Sequence, residues 1–387
     1  MTPSVIVVGG GIVGAATAWR LATEGESVLL LEAGRFGRES TGKSAAIVRC
    51  HYSNPEVVRM AVYSREMFRQ LPLHLECDPV YTRAGWLFLV DAADAPLAVQ
   101  NVEMQELEGL ESVDVESLED YLPGIDPAGI AYAVHEPDSG FADPVAATEA
   151  YISAMRRAGG EAREGAVVES IEVEHGKVRG VRVAGELVPC ETVVLAAGPW
   201  SLGLGRTAGI ELPLEIVREQ DVIFATAPQE TVPCCVSSQV DRIYMRPAPE
   251  CGEGHLLIGR GFPKDYENAD PDGYETEVDD SFEADVRERL TRRLPHLAGV
   301  RRAGGRVGLY DVTPDWHPLL GDSGEVESLV LATGGSGHCF KLGPAIGDLV
   351  AASILGGKVG YAEIVSFSPA RFEEGREFRS TFGGNRA

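Results

Sequence analysis

The sequence predicts an α/β chain of at least two lobes, and three observations carry that prediction. The chain has 387 residues, more than the ~250–300 over which a single hydrophobic core keeps growing. Near the N-terminus a continuous apolar strand runs into a glycine-rich turn, a helix and a second apolar strand. Near the C-terminus another strand breaks into a second glycine-rich turn followed by a helical stretch.

The first strand is Val5-Ile6-Val7-Val8, a β-branched run of the kind that is buried on both faces of a parallel sheet. It ends in Gly9-Gly10-Gly11-Ile12-Val13-Gly14, which is GxGxxG on Gly9, Gly11 and Gly14. Gly9 permits the tight turn, Gly11 lets the backbone approach a pyrophosphate, and Gly14 lets the helix pack close to the strand. The helix over residues 15–23 then points its free N–H groups and positive dipole end at the phosphates. A second strand, Val28–Leu31, ends at Glu32, where a carboxylate can accept from both ribose hydroxyls. The same carboxylate repels a 2′-phosphate. Strand, glycines, helix, strand and acid thus come in the order of a Rossmann-like dinucleotide site. That unit alone does not separate NAD from FAD.

Composition narrows the partners. Acidic side chains outnumber basic ones by 59 to 34, a formal charge of −25, which argues against a nucleic acid or an anionic membrane surface. Apolar residues make up 44% and charged residues 24%, ordinary for a globular protein. The uncharged stretch 4–19 is shorter than the ~20 residues a membrane span needs and is broken by glycines. It also lacks the basic flank of a signal peptide, so the reading is a cytoplasmic protein. The seven cysteines (Cys50, Cys77, Cys190, Cys234, Cys235, Cys251, Cys339) show no CxxC spacing, which suggests neither a disulfide framework nor a metal site.

Four later segments bear on the cofactor. Ser40-Thr41-Gly42-Lys43-Ser44-Ala45-Ala46-Ile47-Val48-Arg49-Cys50-His51-Tyr52 is a polar loop where a plain NAD-binding domain would place a helix and a third strand. Val193-Val194-Leu195-Ala196-Ala197-Gly198-Pro199-Trp200 is a buried strand breaking into small residues that suit close approach by a ligand. Tyr310-Asp311-Val312-Thr313-Pro314-Asp315-Trp316-His317-Pro318 is the third. Leu329-Val330-Leu331-Ala332-Thr333-Gly334-Gly335-Ser336-Gly337-His338-Cys339-Phe340-Lys341 is the fourth, with a helix expected from Gly343-Pro344 to Leu355.

From Val5 to Phe372, the order of these segments resembles the family of FAD-dependent amino-acid and amine oxidoreductases. That family includes sarcosine oxidase, glycine oxidase, D-amino-acid oxidase and dimethylglycine dehydrogenase. Thr313-Pro314-Asp315-x-His317 and Gly335-Ser336-Gly337-His338-x-Phe340-Lys341 resemble the sarcosine oxidase branch in particular. The resemblance implies a Rossmann-like FAD-binding domain of the glutathione-reductase type, assembled from residues 1–80, 143–215 and 305–387. A second, β-rich antiparallel substrate domain would take 81–142 and 216–304. Independent local signals agree with that layout: a helix over 145–158, strands around Val168 and Val181 joined at His175-Gly176-Lys177, a strand at 85–90 and a charged helix at 282–294. The acidic stretch 265–280 reads as a solvated loop.

The resemblance also implies roles. FAD would lie against Gly9, Gly11, Ile12, Val13, Gly14, Glu32 and Ala33, then Ser40, Thr41, Lys43 and Ser44. Val168 would meet the adenine, and Ala197, Gly198, Trp200, Gly308, Gly335, Gly337, His338, Phe340 and Lys341 would complete the site. Arg49 follows the apolar lead-in Ile47-Val48, from which a guanidinium projects into a pocket. It matches the arginine that binds the substrate carboxylate, and Lys341 matches the second such residue. A bidentate Arg–carboxylate pair sets orientation as well as charge. His338, His51 and Tyr52 are further candidates, and Tyr244 either caps the pocket or packs in the core. His317 reads as structural. The implied reaction is hydride transfer from an amine-bearing carbon to flavin N5, giving an imine that hydrolyses.

Two departures matter. Gly308 stands where the sarcosine oxidase branch carries its flavin-linking cysteine, and Cys339 is not that position, so FAD is expected to be non-covalent. Leu257 stands where that branch carries a lysine whose charge favours electron transfer to dioxygen, with His255, Arg260 and Lys264 as possible substitutes. Both oxidase and dehydrogenase activity stay open, and the electron acceptor is either dioxygen or another partner. The alternatives are a catalytic FAD subunit passing electrons to a partner or quinone, a flavin-containing binding protein without turnover, and a plain NAD dehydrogenase.

Overall fold

The computed structural model describes residues 2–227, 230, 232–357 and 363–382. Its first sheet has six strands in the order Leu319–Asp322, Leu329–Thr333, Thr192–Leu195, Val5–Val8, Val28–Leu31, Glu161–Arg163. All neighbours are parallel except the edge pair Leu319–Asp322 and Leu329–Thr333. Alternation explains why its strands are apolar at every place. Val5, Val7, Leu30 and Val194 face a layer of helices, whereas Ile6, Val8, Leu29, Leu31, Val193 and Leu195 face the other way. The helix layer holds Ile12–Thr23, Pro55–Leu75, Pro144–Arg157 and Cys339–Ile354. The opposite face packs on a three-stranded antiparallel sheet, Val168–Glu174, Lys177–Val183 and Glu186–Pro189.

The second sheet has nine strands, and every pair is antiparallel except Cys235–Ser238 with Trp86–Val90. One face buries Leu87, Val222, Phe224, Val236 and Ile258 against Phe282, Val286 and Leu290 of the helix Asp280–Arg293. The cross-strand register Phe88–Ser237–Tyr244–Gly259–Asp221–Arg306 forms a row on the other face, above the loop 44–46. A small sheet of Ile47–Val48, Gly140–Ala142 and Tyr81–Thr82 stitches the two lobes together.

Several expectations are corrected. Strand Arg301–Val312 pairs along its length with Glu215–Ala225 in the second sheet, so a boundary at 305 would cut one continuous ribbon. The last helix starts at Cys339, four residues before the expected Gly343. Pro344 lies inside it, and the Ser64 hydroxyl of a neighbouring helix accepts from Ala345 N at 3.1 Å. The acidic stretch 265–280 is largely exposed, as expected of a solvated loop, and is anchored from below. Arg218, buried beneath it, donates to Glu267, to the Glu275 and Glu277 carbonyls and to Asp279.

Candidate active site

The N-terminal turn is shaped by glycine backbone and held by two side chains, Glu32 and Thr41, the latter accepting from Ile12 N at 3.2 Å. Gly9 adopts φ +110°, and a Cβ there would sit 2.3 Å from the Ala196 carbonyl oxygen. A Cβ on Gly14 would sit 2.0 Å from Gly9 O. No side chain fits at either place, so the strand, the turn and the helix start are held in one geometry. The Glu32 carboxylate accepts from Gly10 N at 2.7 Å and Gly34 N at 2.8 Å, which fixes its orientation at the strand end.

These groups open a cavity of about 420 Å³, inside the range of cofactor sites. Gly9, Gly11, Ile12, Val13, Glu32, Ala33, Ser40, Thr41 and Ser44 line one stretch of it. Val168, Ala197, Gly198 and Trp200 line another, and Gly335, Gly337 and Phe340 a third. Gly14 shapes the turn from behind. Four expected contacts are redirected, since His338 and Lys341 line a neighbouring cavity rather than this one, and Lys43 and Gly308 also lie outside it. Lys43 does not line this cavity, because its ammonium is held by Glu39 at 2.6 Å and Tyr274 Oη at 2.7 Å. Gly308 faces Lys43 instead, at 3.1 Å from where its Cβ would lie. Conversely, Asp272 of the acidic loop reaches this cavity and accepts from Trp200 Nε1 at 2.8 Å.

The second glycine-rich turn is tied down by Asp311, which accepts from Gly334 N at 2.7 Å and Thr333 Oγ1 at 3.0 Å. A Cβ on Gly337 would lie 2.5 Å from the Tyr310 ring, so this glycine lets Tyr310 close over the turn. Ser44, Tyr310, Gly337 and Phe340 also line a second cavity, which therefore adjoins the first. It measures about 140 Å³, below the ~300 Å³ at which drug-sized sites begin. It suits a small ligand.

Arg49, His51, Tyr244, His338 and Lys341 all line this small cavity. The Arg49 guanidinium lies 4.7 Å from the Tyr52 ring and 5.5 Å from the Trp86 ring, and it donates to the His51 carbonyl. Its segment is pinned from behind. Glu136 accepts from Cys50 N at 2.9 Å, and Gln105 donates to Tyr52 O at 2.7 Å. Among the described residues no carboxylate lies within ion-pair distance of Arg49 or Lys341. Burial, reinforced by the Arg49 charge, pulls the Lys341 ammonium down to about 7. Burial likewise pulls His51 down to about 3 and His338 well below its usual range, so both imidazoles are neutral at pH 7. His338 Nδ1 lies 3.1 Å from Tyr52 Oη, which places Tyr52 behind His338. Tyr244 donates to Asp221 at 2.7 Å.

The cations expected to replace the missing lysine are all compensated. Lys264 pairs with Glu219 at 2.6 Å and Arg260 with Asp285 at 2.8 Å. His255 lies against the Glu253 carbonyl, outside the cavity lining, and Leu257 is fully buried beside Ala45 and Tyr244. His317 belongs to a structural cluster in which Arg371 holds Asp315 at 2.7 Å and the His317 carbonyl at 2.8 Å. The sequence reading passed over Tyr310, Trp86 and Phe88 as site residues. Alternation along Trp86–Val90 was the available signal, since Trp86 and Phe88 fall on one face.

Residues 4–353 match the family model described as DAO, FAD dependent oxidoreductase. A glycine oxidase of Pseudomonas putida is 31% identical over 360 residues, covering 89% of this chain and 92% of its own length. Human peroxisomal sarcosine oxidase is 27% identical, covering 89% of this chain and 90% of its own. The crystal structure of L-proline dehydrogenase from P. horikoshii superposes with a TM-score of 0.89 at 27% identity, covering 98% of this chain and 99% of that one. Both the backbone-lined long cavity and the cationic small one fit the family's prosthetic group and substrate class. The chain belongs to the DAO family of FAD-dependent oxidoreductases, which act on carbon–nitrogen bonds.

Proposed function

We propose that the chain oxidises a small amino acid or secondary amine carrying a carboxylate, with Arg49 and Lys341 holding that carboxylate. The observation that carries this reading is two uncompensated cations in a cavity of about 140 Å³ adjoining the cofactor cavity. In a chain of net charge −25, such a concentration of positive charge selects an anionic group. Arg49 presents a fork that matches a carboxylate in two bonds. Its stacking on Tyr52 and Trp86 limits its rotamers, so orientation is set before the ligand arrives. When bound, FAD supplies the two-electron acceptor for the hydride leaving the carbon next to nitrogen. The substrate amine reacts in its neutral form, its lone pair forming the C=N bond as the hydride departs, and the iminium so formed takes up water and releases a proton to solvent. Neutral His51 and His338 add no further charge beside that carbon. Tyr310 lines both cavities at their junction, where cofactor and substrate would meet.

FAD is held without a covalent bond in this reading. Gly308 offers no sulfur, and the Cys339 thiol that does line the cofactor cavity is pushed up by burial, away from the reactive thiolate. The electron acceptor is dioxygen or another partner, and the pairing of Lys264 and Arg260 together with the uncharged Leu257 supports the second of these. All seven cysteines are free, which supports a reducing compartment such as the cytoplasm, and no described helix is long and apolar enough to cross a membrane.

The experiment is anaerobic mixing of the holoenzyme with a panel of small amino acids and N-alkyl amino acids. Bleaching of the flavin absorbance by at least one carboxylate-bearing amine is expected. A flavin that stays oxidised with all of them removes the reading. Dye reduction compared with hydrogen peroxide release then tests the acceptor.

A further inference from the structure

The small cavity has a second end. Trp86 pairs with Cys235 and Phe88 with Ser237 in the parallel register, so these four share one face of the sheet. The chain leaving Ser238 then brings Gln239 to the next place along, where its N–H is tied to Leu89 O at 2.9 Å. Arg49 stacks on Trp86 at the opposite end. Four residues of strand, about 13 Å, separate the two levels.

Gln239 lines the cavity, and its side-chain amide is shut off from solvent. Neither Oε1 nor Nε2 has a hydrogen-bond partner among the described residues. Buried polar groups are almost always paired, so an orphan amide at a ligand cavity points to the ligand. The neighbouring charges define what it takes. Lys264 and Arg260, which also line this cavity, are bound by Glu219 and Asp285, so they present no free cation to a second carboxylate. The Trp86 indole N–H is already spent on Ser237 Oγ at 3.0 Å. His51 Nε2 is also unpartnered, on the residue two places from Arg49, and away from that clamp what remains is the Gln239 amide, which both donates and accepts. Its complement is a hydroxyl or a carboxamide, which does the same. An aliphatic terminus would leave the amide unpaired, and a carboxylate would face its oxygen without a donor.

Resting on the carboxylate clamp proposed above, we infer that the substrate is an amino or imino acid bearing a hydroxyl or carboxamide remote from its carboxylate, and that Gln239 selects it. The test uses two unreactive carboxylates, furan-carboxylate and its hydroxymethyl derivative, titrated into the holoenzyme and followed by the shift in flavin absorbance. The hydroxymethyl compound is expected to bind about tenfold tighter to the native protein, and in Gln239→Leu this preference is expected to fall below about twofold. Anaerobic flavin reduction by hydroxyproline against proline is expected to show the same preference and the same loss. Equal binding of both carboxylates to the native protein, or a preference that survives Gln239→Leu, overturns the inference. Two further outcomes separate the readings. If furan-carboxylate binds and its derivative binds no tighter, only the role of Gln239 fails; if neither binds, the clamp itself fails and takes this inference with it.

Discussion

The two cavities share a wall but are made in different ways. The long one is shaped by backbone, with Gly9, Gly11 and Gly14 close in sequence and the carboxylate of Glu32 held by two N–H groups. The small one is shaped by side chains from elements far apart: Arg49, Trp86, Gln239, Tyr244, Tyr310 and Lys341. A backbone cradle tolerates no added atom yet is indifferent to what substrate the protein serves. A side-chain cradle tolerates change but alters its choice of ligand with each one. The same flavin site can therefore serve many substrates, and substitutions in the two regions should fail differently.

The sharpest form of the contrast is Gly14→Ala against Arg49→Ala. The added methyl of Gly14→Ala would lie 2.0 Å from Gly9 O, so the helix must leave the strand. Protein purified from this variant is expected to lack flavin absorbance altogether. Arg49→Ala should keep its yellow colour and raise KM for carboxylate substrates by ~30–100-fold, as expected for removing one partner of a charge pair. Loss of flavin in Arg49→Ala, checked by the ratio of visible to protein absorbance, would break the comparison.

Lys341 sharpens it further through pH. Its ammonium titrates near 7, so it is charged below that value and neutral above. KM for a carboxylate substrate should therefore rise as pH increases through about 7. In Lys341→Met, KM should be raised by ~10-fold at low pH and be flat across this window. Stability runs the other way. The folded protein holds this proton less tightly than the unfolded chain, whose lysine titrates near ~10.4, so between the two values unfolding takes up a proton. Stability from this group accordingly rises as pH increases through that window and is lowest below about 7. Thermal melts at stepped pH should show that difference disappearing in Lys341→Met.

The smallest expected effect is Lys43→Met. The Lys43 ammonium is engaged by Glu39 and Tyr274 outside the cofactor cavity. FAD affinity should change less than ~2-fold, and stability should fall by ~0.5–1 kcal/mol, the range of a partly exposed ion pair. Equilibrium flavin release and a denaturant titration would check both.

What could be read without coordinates follows the same division. Val5–Val8, the first turn, the helix and Glu32 form one local unit whose geometry is dictated by neighbours in sequence. Arg49 stood out because an apolar lead-in precedes it. The helix expected from Gly343-Pro344 instead starts at Cys339 and carries Pro344 in its interior. Beside it Ala345 N donates to Ser64 Oγ, 281 residues away in sequence, a contact no local signal announces. The acidic stretch 265–280 is the largely exposed loop its polar composition indicated, but nothing nearby in sequence announces Arg218 beneath it.

By itself, then, the order of residues determined that a dinucleotide-type turn forms and which cations accompany it, because glycine conformation and strand burial are short-range properties. The folded chain alone decided that Lys43 is diverted, that Tyr310 bridges the two cavities and that Gln239 stands unpaired opposite Arg49. Those outcomes depend on strand register across the large sheet and on which side chain reaches a given partner first, and neither is encoded in any one segment.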